Sequence, residues 1–130
     1  MNRLVLVILM VVAILGGLIF IMPKPPTEQS LNFPEIETQL QNGSRLVDVR
    51  TAEEYAENHI VGAINIPLAS IESGDLSALD KSVKNYVYCH SGNRATQAAD
   101  VLHKAGYDIE NLGAMSHVVS VGGTTCDTNC

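Results

Sequence analysis

Hydrophobic and polar positions divide the chain into two unlike parts. Leu4 to Met22 is an unbroken run of 19 residues without a charged or strongly polar side chain. Beyond Pro34, short apolar runs alternate with helical patterns. Pro34 to Gln41 predicts a helix, with proline at its start and Asn42-Gly43 ending it. Leu46-Val47-Asp48-Val49 predicts a short strand. Thr51 is placed to cap a second helix, with Glu54 three residues on completing a capping box. Ala63 to Ile66 predicts a strand stopped by Pro67, and Tyr86-Val87-Tyr88 predicts a third, the most buried. Arg94 to Lys104 predicts a helix that packs through Ala95, Ala98, Ala99, Val101 and Leu102, with Gly106 just past its end. Ile109 to Leu112 predicts a final strand. Strands alternating with helices define an α/β class: a mainly parallel central sheet with helices on both faces.

As a helix the amino-terminal run spans roughly 28 Å, close to the hydrocarbon thickness of a bilayer. A signal peptide has a shorter apolar stretch and a small-x-small cleavage site, whereas this run ends in bulky Ile19-Phe20-Ile21-Met22-Pro23. A retained transmembrane anchor, or uncleaved signal, over residues 1–22 is favoured over a cleaved signal peptide. A buried core helix fits poorly, because no phase of the run offers a polar face. Arg3 before the segment and only Lys24 close after it orient the following domain away from the cytoplasm, so the expected location is an inner membrane, single-pass, with a periplasmic domain. Residues 23–33 form a proline-rich linker (Pro23, Pro25, Pro26) of extended character. The expected domain covers 34–118, and 119–130 is expected as a carboxy-terminal tail.

From Pro23 onward the chain carries seven basic against 14 acidic residues, a formal charge of −7. This excludes nucleic acid as a partner, since binding it requires a basic face that releases counterions. About 100 residues suffice to bury a core without a disulfide scaffold.

Candidate chemistry concentrates in Tyr86-Val87-Tyr88-Cys89-His90-Ser91-Gly92-Asn93-Arg94-Ala95, a strand, a short glycine-bearing polar loop and a helix start. Ligands of open parallel sheets bind at the carboxyl ends of strands, where Cys89 falls. Loop amides and the amino end of the following helix would face its sulfur, stabilise a thiolate and lower its pKa, with Arg94 adding positive charge. Such a thiolate is a nucleophile at neutral pH, and the same cradle binds anions. The bland alternative is a small buried apolar residue ending a core strand; the Ser-Gly-Asn-Arg flank favours the reactive reading.

Three stretches in order then resemble the single-domain rhodanese family: Leu46 to Arg50 followed by Glu53-Glu54-Tyr55; His59-Ile60-Val61-Gly62-Ala63-Ile64-Asn65-Ile66-Pro67; and the Cys89-to-Arg94 loop, with four residues between cysteine and arginine. The resemblance spans roughly Pro34 to Leu112. It implies a rhodanese-like fold and a two-step transfer. Cys89 takes a sulfane sulfur from a donor such as thiosulfate, and the resulting persulfide passes it to cyanide or a thiol. It further implies that the backbone of His90, Ser91, Gly92, Asn93 and Arg94, with the Arg94 side chain, binds the persulfide and donor anion, and that Asp48 and Arg50 brace the loop structurally. Related phosphatases place five residues between cysteine and arginine, so phosphate-ester or arsenate chemistry is the lesser reading. A non-catalytic partner-binding module at the membrane is the other alternative. The family often carries a tryptophan after its last strand. This chain has none and continues Gly113-Ala114-Met115-Ser116-His117, so an altered or truncated last helix is expected.

Cys126 and Cys130 close the chain. In an oxidising compartment they could pair as a small-loop disulfide; incidental thiols on a disordered tail are the equal alternative. Two ligands are too few for a metal site, so no metal is expected, and nothing implies a cofactor. The expected partners are a small sulfur-containing anion, a thiol acceptor and the membrane. His90 is expected at the pocket entrance and His59 in a structural hydrogen bond.

Overall fold

A computed structural model describes residues 32–128 and 130. The anchor expected over 1–22, and the linker up to residue 31, lie outside the described residues. Among the described residues no helix is long and apolar enough to cross a membrane.

The chain order is α1 (Phe33–Gln41), β1 (Arg45–Asp48), α2 (Ala52–Glu57), β2 (His59–Ile60), β3 (Ala63–Asn65), α3 (Leu68–Glu72), β4 (Asn85–Cys89), α4 (Asn93–Lys104), β5 (Ile109–Ala114), α5 (Met115–Ser120) and β6 (Thr125–Cys126). Four strands form one parallel sheet in the order β3-β1-β4-β5, while β2 and β6 pair antiparallel as a separate ribbon. Parallel neighbours require crossover connections, which the helices supply.

Strand alternation assigns the core to two layers. On one face Val47, Val49, Val87 and Cys89 pack with Ile71 of α3 and with Ala95, Ala98, Ala99 and Leu102 of α4. On the other, Leu46, Tyr86 and Tyr88 pack with Phe33 and Ile36 of α1, Ile60 of β2 and Met115 and Val118 of α5. All five residues of β4 are buried, as expected for a central strand covered on both sides. The alanines of α4 let that helix approach the sheet closely.

The expected α/β architecture is thus present, and the capping box at Thr51 and Glu54 forms with both of its hydrogen bonds. Three elements were not predicted, β2, α3 and β6, and the last helix, expected altered or truncated, is the six-residue α5. The segment after Val118 packs onto the domain. Phe33 donates its N–H to the Val121 carbonyl, and Val61 donates to that of Thr124. Gly123 is a tight fit here, since a Cβ would come within 2.9 Å of Val118.

Candidate active site

Cys89 is the last residue of β4, and α4 begins four residues later at Asn93. The intervening loop turns on Gly92, whose φ of +95° suits glycine alone without strain. Any side chain there would also meet the backbone of Gly113 and Ala114 at 3.6 Å. This turn brings the Gly92 N–H to 3.0 Å from Cys89 Sγ, so the sulfur accepts a backbone hydrogen bond from its own loop. No side chain caps α4. The amino-terminal amides of this 12-residue helix therefore face the loop without a built-in acceptor, the arrangement that receives an anion.

Cys89 is fully buried, with 0% of its surface exposed. His90, Ser91 and Asn93 are exposed and form the outer rim of the loop, while Gly92 and Arg94 are half-buried. A cleft of about 430 Å³ opens beside this rim, lined by Arg50, Glu54, Glu57, Asn58, His90, Met115 and Ser116. His90 follows Cys89, and Met115 follows Ala114, the β5 partner of Cys89. The cleft thus lies one residue beyond the buried sulfur on two adjacent strands, with His90 among its lining residues.

Arg94 is not aimed at the sulfur alone. Its guanidinium clasps Glu54 through two hydrogen bonds, of 2.6 and 2.8 Å. In this structure the Arg94 side chain is half of an ion pair with Glu54 of α2. The cause is local. The capping box places Glu54 at the start of α2, where Thr51 N–H donates to its carboxylate at 3.1 Å, and the carboxylate faces α4 across the site. Hydrogen bonding from Arg94 is the largest influence on Glu54 and holds its pKa down to about 2 against the opposing effect of burial. Because the folded value lies below the unfolded one, the pair stabilises the fold fully above about pH 4.5, and this contribution is lost as pH falls toward 2. Acid-unfolding profiles should show it: Glu54→Gln is expected to flatten the loss of stability across that window. An unchanged profile would mean that the pair contributes nothing.

Asp48 and Arg50 form a buried ion pair, 0% and 3% exposed. Arg50 donates to the Asp48 carboxylate through Nε at 2.9 Å and Nη2 at 2.6 Å, and its backbone N–H donates to the same group. Nη1 donates to the Asn58 side chain, and Nη2 donates to the Asn58 carbonyl as well. Asn65 ties the same turn by donating to the carbonyls of Asp48 and Arg50 at 3.0 and 2.9 Å. Burial, the largest influence on Arg50, works against its charge, but the Asp48 hydrogen bonds and charge outweigh it and raise the pKa. The pair thus braces the β1–α2 connection and the cleft wall. Tyr88, adjacent to Cys89, points to the opposite layer and accepts the Ile60 N–H at 3.0 Å; burial pushes its hydroxyl pKa far up.

Sequence reasoning found the loop and the Asp48–Arg50 pair. It noted Glu54 only as a cap, and missed Asn58, Met115 and Ser116 as cleft walls. The capping box was the available signal for Glu54; its second partnership with Arg94 spans 40 residues.

The site is thus a cysteine at the carboxyl end of a parallel strand, its sulfur accepting a backbone N–H from a glycine turn at a helix amino terminus. A family model for the Rhodanese-like domain matches residues 33–116, and the chain belongs to that family. Among curated proteins it is similar to the Thiosulfate sulfurtransferase PspE of Escherichia coli, 38% identical over 74 residues covering 55% of this chain and 71% of that protein. It is also similar to the human Thiosulfate:glutathione sulfurtransferase, 33% identical over 92 residues covering 60% of this chain and 80% of the relative. Among solved structures, a rhodanese with anions from E. coli superposes with a TM-score of 0.57 at 32% identity, over 65% of this chain and 98% of that one. The Alr3790 protein from Anabaena gives a TM-score of 0.65 at 27% identity, over 77% and 94%.

Proposed function

We propose that this protein is a sulfurtransferase that carries a sulfane sulfur on Cys89. The observation that carries the reading is the Gly92 N–H on the Cys89 sulfur at the amino end of α4. The Cys89 thiolate attacks the outer sulfur of a donor such as thiosulfate. A Cys89 S–S bond forms, the donor's sulfur–sulfur bond breaks, and sulfite leaves with the bonding electron pair. A thiolate acceptor or cyanide then attacks the outer sulfur of the persulfide and returns Cys89 as thiolate. A sulfur–sulfur bond adds about 2 Å to the side chain. The outer sulfur is thereby carried away from the buried Sγ, toward donors of the loop and the helix end.

Relatives named for thiosulfate and for glutathione support a small sulfur-containing anion as donor and a low-molecular-weight thiol as acceptor. The Cys89-to-Arg94 loop gives no support to phosphate-ester chemistry. The apolar run Leu4 to Met22 supports a single-pass membrane anchor with the domain on the periplasmic side.

The test is mass spectrometry of intact, reduced protein after incubation with thiosulfate. A gain of one sulfur atom, removed again by excess thiol, is the expected result. Absence of the adduct in protein that retains its fold would point to a partner-binding module instead.

A further inference from the structure

A second group of polarisable side chains lies away from Cys89. Antiparallel pairing of β2 with β6 sets His59 opposite Cys126. His59 Nε2 lies 3.5 Å from Cys126 Sγ and 3.6 Å from Cys130 Sγ, and the three atoms all fall within 4.8 Å of one another. The two cysteines are joined as a disulfide, with Cα atoms 6.0 Å apart. The imidazole is held from behind. Its Nδ1 is 2.9 Å from the Tyr55 carbonyl oxygen, and its ring stacks on Tyr55 at 3.8 Å between centroids. A carbonyl oxygen only accepts, so the proton of the neutral ring is assigned to Nδ1 and the lone pair of Nε2 faces the sulfurs. A disulfide has no proton to offer that lone pair. This is also the tautomer and backbone support that metal-ligating histidines use.

We propose that reduction of Cys126–Cys130 opens a binding site for zinc or a similar borderline-soft divalent cation, with His59, Cys126 and Cys130 as ligands and water in the fourth position. The geometry supports it. Tetrahedral zinc with Zn–N of about 2.0–2.1 Å and Zn–S of about 2.3 Å separates nitrogen from sulfur by roughly 3.5 Å and the two sulfurs by roughly 3.8 Å. Both nitrogen–sulfur spacings already have that value. Only the sulfurs must move apart, and Cys130 is exposed and free of any secondary-structure element. Two cysteines alone are too few ligands, but the β2–β6 ribbon supplies the third. The steps balance. A dithiol reductant delivers two electrons and two protons to the S–S bond and becomes a disulfide, and metal binding then displaces the two thiol protons. The site is absent in the oxidised protein and present in the reduced one.

The experiment uses the full chain, reduced with a dithiol and freed of reductant under inert gas, then titrated with zinc ion against a chromophoric chelator. One zinc per chain is expected in the reduced protein and in reduced Cys89→Ser, and none in the oxidised protein. Cys126→Ser and Cys130→Ser should each weaken binding by more than the roughly 10-fold that loss of an outer partner costs. Cobalt in place of zinc should give thiolate-to-metal charge-transfer absorption, lost in both variants. Circular dichroism checks that the variants keep their fold, and the cobalt spectrum of His59→Gln reads the nitrogen ligand separately. Failure of the reduced protein to bind zinc at micromolar concentration overturns the proposal, as does undiminished affinity in a Cys126→Ser/Cys130→Ser double variant.

Discussion

Cys89→Ser is expected to abolish sulfur transfer while leaving the fold intact, a drop in turnover on the order of 10⁴-fold or more, as for removal of other covalent nucleophiles. The substitution is small. Serine occupies nearly the same volume in the layer formed with Ala95 and Val87, and its oxygen still accepts the Gly92 N–H. What disappears is chemistry: a hydroxyl ionises far too weakly to attack a sulfane sulfur and cannot store one. Two measurements decide the matter together, steady-state transfer from thiosulfate to a thiol, and the thermal midpoint. Transfer above about one hundredth of wild type in the variant would remove Cys89 from the mechanism. A large fall in midpoint would instead make Cys89 mainly a packing residue.

The second large effect concerns stability. Arg50→Ala is expected to cost about 3–5 kcal/mol, because it leaves the fully buried Asp48 carboxylate without its counter-charge. It also removes the donors that reach Asn58. Set against a domain stability of about 5–15 kcal/mol, this is a shift from a folded toward a marginal protein. Urea unfolding of the wild type, the single variant and the Asp48→Leu/Arg50→Met double variant separates the causes. The double variant should recover much of the loss, since no charge remains buried without a partner. A single variant within about 1 kcal/mol of wild type would show that water reaches Asp48 and that the pair is not a sealed element.

The parts legible in the sequence are those whose signals are local. Strand β4 carries its own apolar run, α4 its alanine stripe and terminal glycine, and α2 its cap within four residues. The cysteine loop declares itself through residue types alone. What stayed hidden depends on distant partners. Strands β2 and β6 contribute two residues each, too few for a period, and form only where two distant segments pair. Helix α3 spans five residues, of which only Ile71 is buried. The Arg94–Glu54 clasp and the His59–cysteine cluster join residues 40 or more positions apart, which no spacing rule reaches.

The complete burial of Cys89 bears on durability as well as reactivity. A sulfur that bulk water does not touch is shielded from bulky electrophiles, which modify exposed thiolates. Small, slender reagents that can enter the loop are favoured over those that would poison the centre. The same wall limits which reagents reach Cys89, and chemical selectivity here begins with access.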